Sequence, residues 1–164
     1  MNMKPLLFFP ILLISFSACQ IHKKHIGSKE ASGVSAGNTH RLLQEEVKNW
    51  LGVPYQSGGM NRNGVDCSGL VCILYQKVYH QALPRTTQQQ FRLCQHVSRN
   101  NLREGDLVFF RPGTREVSHV GLYLAADSFV HASLSKGVVI SSLKQTYYAR
   151  SFISAGRWVP DKRP

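Results

Sequence analysis

The chain has 164 residues, 43% of them hydrophobic and 18% charged, which fits one globular domain plus a leader and excludes wholesale disorder or a many-span membrane protein. Its formal charge of +11 suits a polyanionic neighbour, and the anionic bacterial envelope is one such surface. Nucleic acid is not expected: no Lys/Arg run lies along a helix, and neither an aromatic ribonucleoprotein signature nor zinc-finger spacing occurs.

Met1 to Pro5 is short and carries Lys4, Leu6 to Phe16 is almost wholly apolar, and Ser17-Ala18-Cys19 follows. A charged start, a greasy core and small residues make a secretory signal. The apolar stretch falls well short of the ~20 residues that span a bilayer. Leu13-Ile14-Ser15-Phe16-Ser17-Ala18-Cys19 also resembles a bacterial lipobox, which implies a lipoprotein signal peptide over 1–18 and a lipidated Cys19. An ordinary cleaved signal is the alternative. Because Gln20 is not the aspartate that retains such proteins at the inner membrane, the resemblance implies the outer membrane of a Gram-negative bacterium, facing the periplasm. Residues 19–39, basic and then rich in Gly and Ser, read as the lipidated N-terminus and a flexible linker, and residues 40–164 as the domain.

Leu42, Leu43, Val47, Trp50 and Leu51 recur at helical spacing, so the pattern predicts a helix over 40–51, stopped by Gly52 and Pro54. Residues 52–65 read as loop. Asp66 is an N-cap residue type, opening a second helix to about Tyr79 that is apolar nearly all round and therefore central. A short helix near 86–94 follows Pro84. Beyond Asn101 the period becomes extended, with strands expected over 106–111, 119–124, 129–133, 138–142 and 153–159. Helices first and antiparallel strands later predict an α+β domain with a sheet of about five strands.

With Cys19 assigned to lipid, Cys67, Cys72 and Cys94 remain, an odd number in an oxidising compartment. A Cys72–Cys94 disulfide is one arrangement; two small core side chains is the other. No metal site is expected, since neither C-x-x-C nor H-E-x-x-H spacing occurs. Cys67 sits in the first turn of the second helix, where the helix dipole favours thiolate over thiol. It is either a nucleophile or a structural cysteine on an apolar face. A nucleophile needs a base. His22, His25 and His40 lie in or beside the linker, and His80 and His96 lie in polar stretches. His119 and His131 lie within apolar strands, six residues either side of Ala125. A hairpin centred on Ala125 would set them opposite each other on one sheet face. His119 would then take the thiol proton, and His131 would orient His119. Two buried histidines satisfying each other is the alternative.

Six blocks occur in order: Pro54-Tyr55-Gln56-Ser57-Gly58-Gly59, Asp66-Cys67-Ser68-Gly69-Leu70, Leu83-Pro84-Arg85-Thr86-Thr87, Gly105-Asp106-Leu107-Val108-Phe109-Phe110, Ser118-His119-Val120-Gly121-Leu122-Tyr123 and Phe129-Val130-His131-Ala132-Ser133. Together, over roughly 41–160, they resemble the NlpC-type cysteine peptidases, specifically the small outer-membrane lipoproteins among them. The resemblance implies a papain-like core and a Cys67-His119-His131 triad. It also implies a site-lining role for Tyr55 at the oxyanion and substrate contacts from Asp66 and Ser68, with Arg85 and Ser118 lining the site. It implies no cofactor, and peptidoglycan stem peptides as substrate, cut at D-glutamyl–diaminopimelate or at the diaminopimelate–D-alanine crosslink. An acyltransferase or amidase on the same fold, or a non-catalytic wall-binding lipoprotein, are the competing readings. Nothing in the sequence demands more than a monomer.

Overall fold

The structure, a computed structural model, describes residues 36–113 and 115–159. The signal segment over 1–18, Cys19 and the linker up to residue 35 lie outside the described residues.

Helix α1 spans Ala36–Trp50 and buries Leu43, Val47 and Trp50 along one stripe. It begins earlier than the apolar spacing alone marks, so residues 36–39, read from sequence as linker, are helical. Within the stretch read as loop, β1 (Met60–Asn61) and β2 (Gly64–Val65) form a two-residue antiparallel pair. Helix α2 spans Cys67–Leu74, and Asp66 caps it by accepting a hydrogen bond from the Gly69 amide. The last turn of this helix widens to π-helical geometry over Tyr75–Tyr79 and ends on His80, whose φ is 54°. Helix α3 (Thr87–Leu93) is capped by Thr86.

The main sheet has six strands rather than about five. They are β3 (Gln95–Val97), β4 (Leu107–Phe110), β5 (His119–Tyr123), β6 (Ser128–Ser133), β7 (Gly137–Ser142) and β8 (Phe152–Arg157), and helix α4 (Thr146–Ser151) precedes β8. The order is β3-β8-β4-β5-β6-β7, antiparallel throughout. The added strand is β3, an edge strand with Gln95 and His96 exposed; it carries no apolar alternation and gives no strand signal.

The sheet is covered on both faces, and its strands divide their side chains between two cores. Leu107, Phe109, Val120, Leu122, Val130 and Ala132 join the buried face of α2, Leu70, Val71 and Leu74, in one cluster. Val108, Phe110, Phe129, Leu143 and Ala155 form the second, against Tyr148 and Phe152. This explains why β4 reads as an unbroken apolar run: all four of its residues are buried. The domain is α+β, with helices packed on an antiparallel sheet.

Candidate active site

Cys67 opens α2, with 7% of its surface exposed. The chain enters this turn through a close approach that only glycine permits: a Cβ on Gly69 would lie 2.6 Å from the Gly59 carbonyl oxygen. The sulfur rests 3.6 Å from Thr87 Oγ1. The backbone N–H groups of Val120 and Ser68 also reach it. Val120 follows His119, so β5 brings its first histidine beside the start of α2.

The two histidines meet side by side. His119 Nε2 and His131 Nδ1 are 2.9 Å apart, with the rings perpendicular at 4.9 Å. The hairpin register differs from the one expected. Leu122 pairs with Val130 and Tyr123 with Phe129, so the loop is centred on Ala126, not Ala125. Ala126 and Asp127 both take positive φ (48° and 63°), a tight left-handed turn that leaves Leu124 N bonded to Ser128 O. The shift moves the histidines from directly opposite to diagonal. Because it displaces the register by two residues, both stay on one face, and diagonal neighbours are within reach of long side chains.

The relay continues further. His131, 1% exposed, places Nε2 3.0 Å from Ser141 Oγ and 3.0 Å from Tyr148 OH. Phe110 and Phe129 wall the pair in: Phe110 lies 5.9 Å from His119, and Phe129 lies 5.0 Å from His131. Enclosure of the rings disfavours imidazolium, holding His119 down at about 4; burial and then the neighbouring His119 hold His131 down at about 3. Burial likewise pushes the Cys67 thiol above its ordinary value, although Thr87 and the Val120 and Ser68 amides work against it. Burial of the sulfur thus works against the thiolate that the helix N-terminus favours, while Thr87 and the two amides work with it.

On the other side of Cys67 lies an open groove of about 430 Å³ lined by Tyr55, Asp66, Ser68, Arg85, Thr87 and Ser118 beside the sulfur. All five residues expected to contact substrate or line the oxyanion site converge here. Asp66 does far more than cap. Its Oδ1 accepts from Gly69 N at 2.6 Å, Ser68 Oγ at 3.2 Å and Arg85 Nη1 at 3.0 Å. Its Oδ2 accepts from Gly58 N at 2.9 Å and Arg85 Nη2 at 2.7 Å. Burial opposes the charged carboxylate, but the Arg85 fork and the two amides outweigh it, and the pKa lies below the ordinary value. Both oxygens are thus taken, and Arg85 also donates from Nη1 to Ser68 Oγ and from Nη2 to the Gly59 carbonyl. Burial, then the nearby Cys67 and Asp66, push the Tyr55 pKa up against a Ser57 hydrogen bond.

Cys72 and Cys94 are free thiols, like Cys67. Cys72 Sγ lies 3.3 Å from the Pro84 carbonyl, and Cys94 is a buried core side chain. Sequence reasoning missed Thr87, Gln90, Ser141 and Tyr148. Gln90 is fully buried and donates from Nε2 to the Ser68 and Pro84 carbonyls, tying α3 to the first turn of α2. Thr87 sits inside one of the six motif blocks. For Tyr148 the sequence holds no signal that separates it from Tyr147.

The NlpC/P60 family model matches residues 52–157. The chain is 42% identical over 116 residues to the probable endopeptidase NlpC of Escherichia coli K12, a match covering 70% of this chain and 75% of that protein. It is also 42% identical over 115 residues to the murein DD-endopeptidase MepS/murein LD-carboxypeptidase of the same strain, covering 70% of this chain and 61% of that one. Among solved structures, an NlpC/P60 family protein from Bacillus cereus ATCC 10987 superposes with a TM-score of 0.67 at 30% identity, covering 74% of this chain and 40% of that chain. The chain belongs to the NlpC/P60 family and is a peptidase.

Proposed function

We propose that the chain is a peptidoglycan stem-peptide endopeptidase in which Cys67, His119 and His131 perform the chemistry. The observation that carries this reading is that the Val120 amide, next in sequence to His119, reaches the sulfur in the first turn of α2, and that His119 and His131 lie 2.9 Å apart. The substrate class follows from the relatives, whose names include murein DD-endopeptidase.

In this mechanism the Cys67 thiol gives its proton to His119 as sulfur attacks the scissile carbonyl. The Tyr55 hydroxyl and the amides at the start of α2 donate to the oxyanion. Collapse of the tetrahedral intermediate breaks the C–N bond, and His119 returns the proton to the departing amine. Water, deprotonated by His119, then hydrolyses the thioester and restores the thiol. His131 holds the His119 ring throughout.

The groove bears on the choice of bond. Among the described residues no carboxylate other than Asp66 lines the groove, and Asp66 is already paired with Arg85, so a free amino terminus finds no unpaired counter-ion there. This favours stem peptides that are crosslinked or still glycan-attached, and the name murein DD-endopeptidase carried by one relative points to the crosslink. The enzyme acts from the periplasmic face of the outer membrane, held by lipid on Cys19 and extended by its linker, and its positive charge favours the anionic wall. Labelled palmitate should enter the full-length chain and fail to enter Cys19→Ala.

The test is digestion of sacculi and of defined muropeptides, read by mass spectrometry. Crosslinked dimers should yield monomers, and Cys67→Ala should yield none. Intact dimers after prolonged incubation across pH, with the thiol shown to be free, would overturn the reading.

A further inference from the structure

The geometry points to Tyr148 and Ser141 as positioning residues that set the direction of the proton relay by holding His131 as its Nε2–H tautomer. The inference rests on the catalytic roles proposed above for Cys67 and His119.

Each imidazole has two nitrogens, and the 2.9 Å contact joins His119 Nε2 to His131 Nδ1. One of these must carry the proton and the other must accept it. To receive the Cys67 proton, His119 needs a bare Nδ1, so its own proton sits on Nε2 and is donated to His131 Nδ1. His131 then carries its proton on Nε2, in a site with only 1% of the residue exposed. That buried N–H needs an acceptor. Ser141 Oγ and Tyr148 OH both lie 3.0 Å away. Each oxygen carries lone pairs that can accept from Nε2–H.

The opposite direction is the inactive one. If a hydroxyl donates to His131 Nε2, His131 Nδ1–H donates to His119 Nε2, and the His119 proton moves to Nδ1, where it blocks transfer from sulfur. The two terminal oxygens therefore decide whether His119 is a base. No proton passes beyond His119 in the working direction: the sulfur proton lands on Nδ1, the Nε2–H bond to His131 persists, and the oxygens stabilise the polarised chain.

The ring of Tyr148 is held independently of its hydroxyl. It packs edge-on against Phe110 at 5.5 Å and Phe129 at 5.0 Å. Tyr148→Phe thus removes one acceptor and leaves the packing intact, and Ser141→Ala removes the other. Each single variant keeps one acceptor and should lose activity only a few-fold. The double variant should lose about 10²-fold in kcat with KM within about two-fold, because the base is mis-set while the groove is untouched. Ser141→Thr in the Tyr148→Phe background keeps one hydroxyl and should match the Tyr148→Phe single variant instead of falling to the level of the double variant.

The deciding measurement is nitrogen-15 NMR of the histidine rings together with kinetics on a crosslinked muropeptide dimer. The inference expects Nε2–H tautomers at His119 and His131 in the native protein, moving to Nδ1–H in the double variant as kcat falls. Native tautomers and native kcat in the double variant would overturn it. If the double variant does not fold, the tautomer populations of Tyr148→Phe decide: no shift toward Nδ1–H is a contrary result. His119→Ala separates this inference from the reading beneath it. An active His119→Ala enzyme removes the proposed mechanism, whereas an inactive one beside an unimpaired double variant removes only the role of Tyr148 and Ser141.

Discussion

The two sides of Cys67 solve opposite electrostatic problems. On the groove side, Asp66 and Arg85 keep their charges because they meet as a two-bonded fork at 2.7 and 3.0 Å, with solvent still reaching the arginine. On the histidine side no carboxylate pairs with either ring among the described residues, and enclosure by the aromatic walls disfavours imidazolium at His119 and His131. Burial opposes charge on both sides; what differs is whether a partner offsets it. Cys67 shares the dry side's desolvation, which works against the thiolate that the helix N-terminus favours.

The largest break in this comparison comes from the chemistry itself. Cys67→Ala and His119→Ala should each lower kcat/KM on a muropeptide dimer by at least about 10³-fold, while thermal melting moves little. Next is the state of the thiol. Alkylation of Cys67 by iodoacetamide should be slow at pH 7 and rise only through alkaline pH, beyond an ordinary cysteine, as the raised pKa requires. Fast alkylation at pH 6 would show an ion pair and collapse the contrast between the two sides.

Stability against pH separates the sides directly. The histidines have folded pKa values of about 4 and about 3, below the ordinary 6.5, so the folded protein binds fewer protons than the unfolded chain. Their stabilising contribution is present above pH 6.5 and is lost as pH falls toward those values. Asp66 is also depressed, but from 3.8, so its contribution is lost only below that pH. Urea denaturation should show two acid limbs. His131→Asn should flatten the upper one and Asp66→Asn the lower. At neutral pH, Asp66→Ala should cost about 3 kcal/mol through the lost cap and the uncompensated arginine. The smallest effect belongs to Thr87→Val, which removes the sulfur's side-chain hydrogen bond and should slow acylation a few-fold without changing KM.

Much of this was legible in the sequence, for specific reasons. The α2 helix announced itself through Asp66 and the apolar run behind it, and the alternation beyond Asn101 marked the central strands. The pairing of His119 with His131 survived an error in register because the shift was even. The groove residues came from the motif blocks, yet their chemistry did not: whether Asp66 serves its helix, Arg85 or a substrate depends on where Arg85 arrives, nineteen positions later in the chain. The edge strand β3 stayed hidden because its exposed polar residues need only backbone pairing with β8. The depressed pKa values of the two histidines were hidden as well, since enclosure by Phe110 and Phe129 is a property of the assembled sheet and not of any segment.

The measurement that tests the account most directly is acid-quenched mass spectrometry of the native enzyme with a defined crosslinked muropeptide. A peptidyl thioester should map to Cys67, labile to hydroxylamine, and should be absent from Cys67→Ala along with all cleaved product. Product release undiminished in Cys67→Ala, or a thioester on Cys72 or Cys94, would contradict it.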